Sequence, residues 1–275
     1  MEALTLTYLR RQCLRDLTGG ALREPSGLAL GPDGRSLWTV GDGTSRLFRL
    51  LLDERGDTPV RLDTTTSLDL GYVGLEGIAF KEGRTLAVIQ EHDASAGTST
   101  VLEHTLATGR TARHPLSGMR GYEALAGDLR GSKANKGLEG ITWDSTRRRW
   151  LALKEGKPGM LLAISEDFRS LTRICELDKR AMGFAEKGAV DYSGMDHAGG
   201  DQVWIVSDKA RAAFLFDVQA LRVLRRFPLT WRKGSGERDR FVPVKKAEGV
   251  VYDAARARLH VVSDEHAEIY TYAVG

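Results

Sequence analysis

The sequence predicts an all-β fold: a single five-bladed β-propeller, its ring closed by the N-terminal strand joining the last blade. Three observations predict it. Five times an acid and a glycine open an apolar strand. A second acid recurs 14 or 15 residues after each of those glycines. The last blade is one strand short, and the N-terminus has one to spare. A constant internal spacing in successive copies marks a repeat architecture.

The opening segments are Glu24-Pro-Ser-Gly27-Leu, Glu76-Gly77-Ile-Ala-Phe, Glu139-Gly140-Ile-Thr-Trp, Asp191-Tyr-Ser-Gly194-Met and Glu248-Gly249-Val-Val-Tyr. The second acids are Asp42, Glu91, Glu155, Asp208 and Asp264, each ending a run of strand composition such as LWTVGD or VWIVSD. Blades therefore start near residues 24, 76, 139, 191 and 248, at intervals of 52, 63, 52 and 57 residues. A blade of four short strands needs about 40–50 residues, so each interval holds one blade and some extra loop. Turn signals such as Pro32-Asp33-Gly34 and Lys81-Glu82-Gly83 separate the strands. After Glu248 only GVVYD, RLHVVS and EIYTYAV remain. A strand over residues 3–14 supplies the missing edge, and this closure removes two exposed strand edges at once. Three segments exceed the four-strand pattern: residues 119–136, residues 178–190, and WRKGSGERDRFVPVKKA before Glu248. All three precede a first strand, where functional loops are expected.

Composition narrows the function classes. A hydrophobic content of 41 % suffices for a core, and 40 basic against 37 acidic residues leave a net charge of only +3. No basic arm is present, so nucleic acid is not an expected partner. Cys13 and Cys175 are too few and too far apart for a disulfide framework and read as buried free thiols. No apolar stretch is long enough to span a membrane. The N-terminal MEALTLTYLRRQCLRDL lacks a basic-then-apolar export pattern. The chain reads as a cytoplasmic monomer as written, or as periplasmic if an export segment has been trimmed.

In a propeller the first strand of each blade lines the channel. The loops that lead into it and leave the second strand share one face, so both acid sets converge on one channel mouth. Two carboxylates 4 Å apart repel by roughly 4 kcal/mol at an effective dielectric near 20, so such a ring needs compensation. A hard cation does this with oxygen ligands alone. The expected ion is Ca²⁺, with Mg²⁺ as the alternative, and its ligands come from Glu24, Glu76, Glu139, Asp191 and Glu248. Lys133, Lys136, Lys154, Lys157, Lys209 and Lys245 offer a second means of neutralisation. The competing reading is architectural: such acids accept backbone N–H bonds from the neighbouring blade and hold the ring together.

Beside the ion, Glu91, Glu155, Asp208 or His92 are the candidate bases, and Lys154 with Lys157 would hold an anionic group. His197 and His266 also follow acids. Ser26 and Ser193, each just before a glycine, read as turn residues. Trp38, Trp143, Trp150 and Trp204 read as packing between blades, and Trp231 as exposed near a ligand.

The stretches Glu24-Pro-Ser-Gly-Leu, Gly74-Leu-Glu-Gly-Ile, Asn135 to Asp144, Lys154-Glu155-x-x-Pro158 and Ala247-Glu-Gly-Val-Val-Tyr-Asp carry a family resemblance. From about residue 20 to its end, the chain resembles the SdiA-regulated family of bacterial β-propellers and looks like the neighbouring esterase-like phytase family. That resemblance implies a propeller with carboxylates at its channel and a bound calcium. Two functions follow as expectations. One is a metal-dependent hydrolase of an ester, lactone or phosphate ester. The other is a non-catalytic, calcium-stabilised module that binds a protein or a small, anionic ligand.

Overall fold

Short apolar runs broken by glycine and aspartate turns give antiparallel hairpins rather than helices. The computed structural model describes residues 4–65, 68–129, 137–183, 191–233 and 240–275. The chain opens with β1 (Leu6–Cys13) and the five-residue α1 (Leu14–Thr18). Blade one is β2 (Pro25–Leu30), β3 (Ser36–Gly41), β4 (Arg46–Leu52) and β5 (Pro59–Leu62), with a two-residue β6 (Leu68–Asp69) also pairing with β4. Blade two is β7 (Leu75–Lys81), β8 (Thr85–Asp93), β9 (Thr98–Thr105) and β10 (Arg110–Pro115). The short α2 (Ala126–Leu129) leads to blade three: β11 (Leu138–Asp144), β12 (Arg149–Lys154), β13 (Met160–Ser165) and β14 (Leu171–Glu176). After α3 (Lys179–Met182), blade four is β15 (Tyr192–Gly199), β16 (Gln202–Ser207), β17 (Ala212–Asp217) and β18 (Arg222–Pro228). A separate hairpin, β19 (Thr230–Lys233) and β20 (Arg240–Pro243), precedes blade five. That blade is β21 (Ala247–Asp253), β22 (Arg258–Ser263) and β23 (Glu268–Val274), and β1 completes it by pairing antiparallel to β23. The five blades and the N-terminal closure are those expected; the closing strand is Leu6–Cys13 rather than 3–14.

The first strands meet around the axis through their glycines. A Cβ on Gly27 would lie 2.2 Å from the Glu76 carbonyl oxygen, and one on Gly77 2.7 Å from the Gly140 Cα. A Cβ on Gly194 would lie 2.4 Å from the Glu248 carbonyl oxygen, and one on Gly249 2.4 Å from that of Ser26. Backbone therefore packs on backbone, and only glycine allows that approach.

Each seam between blades holds its own apolar cluster, with Trp38, Trp143, Trp150 and Trp204 buried among them. Three expectations change here. The segment after Met119 is core as far as it is described: Met119, Tyr122, Leu125, Ala126 and Leu129 pack between blades two and three. In the same way Leu177 and Met182 fill the next seam. The remainders, 130–136 and 184–190, lie outside the described residues. Trp231 is half-buried, with Arg11 stacked 4.3 Å over its ring. Its indole therefore caps the closing strand. Cys13 and Cys175 are free and half-buried rather than buried. Among the described residues no helix is long and apolar enough to cross a membrane.

Candidate functional site

Every blade breaks its ladder at the same place. The register between first and second strands shifts between Pro25 and Leu28, Leu75 and Ile78, Leu138 and Gly140, Tyr192 and Gly194, and Ala247 and Gly249. These are five β-bulges, a device that re-aims a side chain. The residue before the glycine sits in each bulge: Ser26, Glu76, Glu139, Ser193 and Glu248. This regroups the expected ligands. Glu24 and Asp191 stand two positions earlier, just before their strands, and serines occupy the bulge in blades one and four. Glu24 is exposed, and Asp191 pairs with Lys209 at 2.8 Å. Ser193 Oγ donates to the Ala247 carbonyl of the next blade, and Ser26 Oγ to the Glu24 carbonyl at 3.2 Å.

The bulge glutamates share one electrostatic environment. Burial pushes Glu139 well above the usual carboxylate range, and the charges of Glu76, Glu91, Glu155 and Glu248 push it further. Glu76 is raised strongly by burial and then by Glu91 and Asp42, against a hydrogen bond from Ser26. Burial, with Asp208 and Asp264, lifts Glu248 to about 8, although Lys246 opposes it. Glu248 acts on both Glu76 and Glu139, which belong to other blades. The three side chains therefore converge.

The second acid set is equivalent throughout, each one residue past the strand position that pairs with the start of its blade. Part of its role is architectural. Glu91 Oε1 accepts from Gly137 N at 3.1 Å, and Asp208 Oδ1 from Lys246 N at 2.6 Å, each a bond to the next blade. Glu91 is raised by burial, and its bonds with Gly137 N–H and the Glu139 carboxyl counter that.

Carboxylate oxygens of Glu91, Glu139 and Glu155 lie within 4.8 Å of one another. This trio joins one bulge acid to two acids expected as bases. Lys154 is 1 % exposed, and its ammonium donates to the carbonyls of Glu155 (2.7 Å) and Pro158 (3.3 Å). It ties down the loop that carries Glu155, and Lys157 beside it is exposed. His92 is exposed next to Glu91. His197 lies toward the opposite end of β15, 3.2 Å from the Gly200 carbonyl and 3.9 Å from the Asp144 carboxylate rather than among the first- and second-set acids. Lys133 and Lys136 lie outside the described residues.

Charge is balanced unevenly around the mouth. On blades four and five, Lys209, Lys245 and Lys246 pair with Asp191, Glu265 and Asp264. On blades two and three, no lysine or arginine among the described residues pairs with Glu76, Glu91 or Glu139. That half could hold a hard cation: its donors are carboxylate oxygens, and the thiols lie elsewhere.

One residue deeper in the channel escaped the sequence reading. Asp196 on β15 accepts from Thr142 Oγ1 of blade three (3.1 Å) and from Tyr252 N of blade five (2.8 Å), and burial lifts it to about 7. Its signal was Asp at the second position after Gly194, where the other blades carry Ala29, Ala79, Thr142 and Val251.

Against this geometry, the sequence profile of the SdiA-regulated family matches residues 15–271. The chain belongs to the SdiA-regulated family. No curated protein matches it in sequence. In structure it is similar to the glutaminyl cyclase of Myxococcus xanthus, at a TM-score of 0.58 and 10 % identity, over 98 % of this chain and 96 % of that one. The hydrazine synthase of Kuenenia stuttgartiensis is more distant, at 0.46 and 14 %, over 87 % and 55 %. The first of these supports the propeller fold in a member of the SdiA-regulated family and carries no activity across.

Proposed function

We propose that this propeller is a metal-dependent hydrolase of an ester, lactone or phosphate ester, with Ca²⁺ at the half of its mouth formed by blades two and three. One observation carries the reading: Glu91, Glu139 and Glu155 converge within 4.8 Å, with no lysine or arginine pairing with the first two among the described residues. Three carboxylates fill only part of a calcium shell of six to eight oxygens, leaving room for water and substrate. The bound ion would supply Lewis acidity and a more acidic water. Around it, Glu139 and Glu91 hold the negative charge that attracts the cation. Lys154 fixes the loop of Glu155, and exposed His92 is placed to take a proton at the rim. Asp208, engaged by Lys246 N–H, serves the ring before it serves a reaction.

A binding module is the second reading, favoured by the carboxylates of Glu91 and Asp208 that already bond the next blade. There the ion staples blades and the mouth presents a surface.

The test begins with chelated protein titrated with Ca²⁺ and followed by thermal melting. At a hundredfold excess over the dissociation constant, stabilisation of about 2.7 kcal/mol is expected. Absence of any Ca²⁺-dependent shift would remove the metal from both readings. Aryl esters, lactones and phosphate esters are then screened with and without Ca²⁺. Turnover that needs Ca²⁺ and is lost in Glu139→Gln supports the hydrolase, and stabilisation without turnover supports the module.

A further inference from the structure

A concavity lies on other blades than the acid trio, where α1 and the loops of blades one and five meet. It encloses about 770 Å³, and its charged lining is Arg15, Arg23, Glu24, Lys246, Asp264 and Glu265 over a floor of Leu22 and Ala267. That volume is typical of a small-molecule site. Its charges are not all satisfied internally. Lys246 pairs with Asp264 at 2.8 Å, and Glu265 is engaged by Lys245 at 3.0 Å. Among the described residues, Arg15, Arg23 and the Glu24 carboxylate make no ion pair and no side-chain hydrogen bond.

The backbone adds an independent observation. Glu24 and Lys246 sit in left-handed conformation, at φ 48° and 46°, and the matching position of blade two is Gly74, at φ 69°. Glycine takes this conformation freely, and residues with a side chain take it at a steric cost. Both of these side chains line the same cavity. Gly43 leaves room for one of them: a Cβ there would come within 2.9 Å of Glu24 Oε2.

We propose that this cleft binds a small anion bearing hydroxyl donors, with Arg15 and Arg23 gripping its carboxylate or phosphate and Glu24 accepting from a hydroxyl. Guanidinium forks suit both anions, so the grip alone does not choose between them. The site draws on no member of the acid trio, and its ligand binds with or without Ca²⁺.

Calorimetric titration of the chelated full chain with glucuronate, glucose 6-phosphate and glucose tests this. At least one of the two anions is expected to bind at least about tenfold more tightly than neutral glucose, and Arg15→Ala/Arg23→Ala to weaken it by about tenfold or more. Both arginines are exposed, so the variant should melt with the native chain. Which anion binds more tightly identifies the charged group the cleft accepts. Glu24→Gln should reduce the preference for glucose 6-phosphate over inorganic phosphate. Equal binding of glucose, binding unchanged in the double variant, or no binding of either anion would overturn the proposal.

Discussion

Glu139 bears the heaviest electrostatic load in the ring: it is buried, and four carboxylates raise it further. In the metal-free protein above the usual carboxylate range, the folded state favours protonated Glu139 more than the unfolded state does, so folding there works against ionisation. Glu139→Gln lifts that cost. The metal-free variant is expected to melt higher than the parent at pH 8 and to gain less from Ca²⁺. Melting curves with and without chelator read both effects. If the variant melts lower without metal and still gains the full Ca²⁺ shift, Glu139 is not part of the cation site. The sequence made this residue visible through the Glu-Gly pair, but it misplaced two of its supposed equivalents. Counting from the acid put Glu24 and Asp191 in the ring. Counting from the glycine would have put Ser26 and Ser193 there, because the close contact that fixes the ladder belongs to the glycine. The bulge itself left no mark that side-chain alternation could reveal.

The glycines set the most stringent limit among the strands. A Cβ on Gly77 would meet the Gly140 Cα and Ile141 N at 2.7 Å, and backbone there cannot move aside. Gly77→Ala should therefore cost about 1–3 kcal/mol, measured by denaturant titration. An unchanged midpoint would mean that the first strands can part. β1 gives the companion prediction. Deleting residues 1–12 removes nearly all of the strand paired with β23, bares that edge, and should produce aggregation on purification. A soluble, cooperatively melting truncation would contradict the closure. Strands and closure were legible because each blade repeats one apolar pattern. The seam filler was not, since it follows no blade pattern. Its signal was the spacing of Met119, Tyr122, Leu125 and Leu129, three or four residues apart, which is helical in period and apolar where a functional loop would be polar.

The molecule as a whole should respond to pH in a direction fixed by its buried acids. Glu248 and Asp196 are lifted to about 8 and about 7. A carboxyl raised on folding contributes stability that is lost as pH climbs through its folded value. Buried His260, lowered to about 4, acts in the opposite sense, but its effect is complete once pH passes its unfolded value near 6.5. Between pH 6.5 and 8.5 only the acids remain, so the metal-free protein should melt progressively lower across that window. Added Ca²⁺ should flatten the slope, and a flat metal-free profile would argue against the converging acids. The same ring has a consequence for how such a molecule can change. Backbone and glycine set the path of each bulge, so its side chain is a slot on a fixed frame: three slots now hold glutamate and two hold serine. Exchanging the occupants of Ser26 and Glu248 would rotate the charge about the axis while every strand kept its register. The five slots could in this way range from all neutral to all acidic, while the second acid set stayed in place.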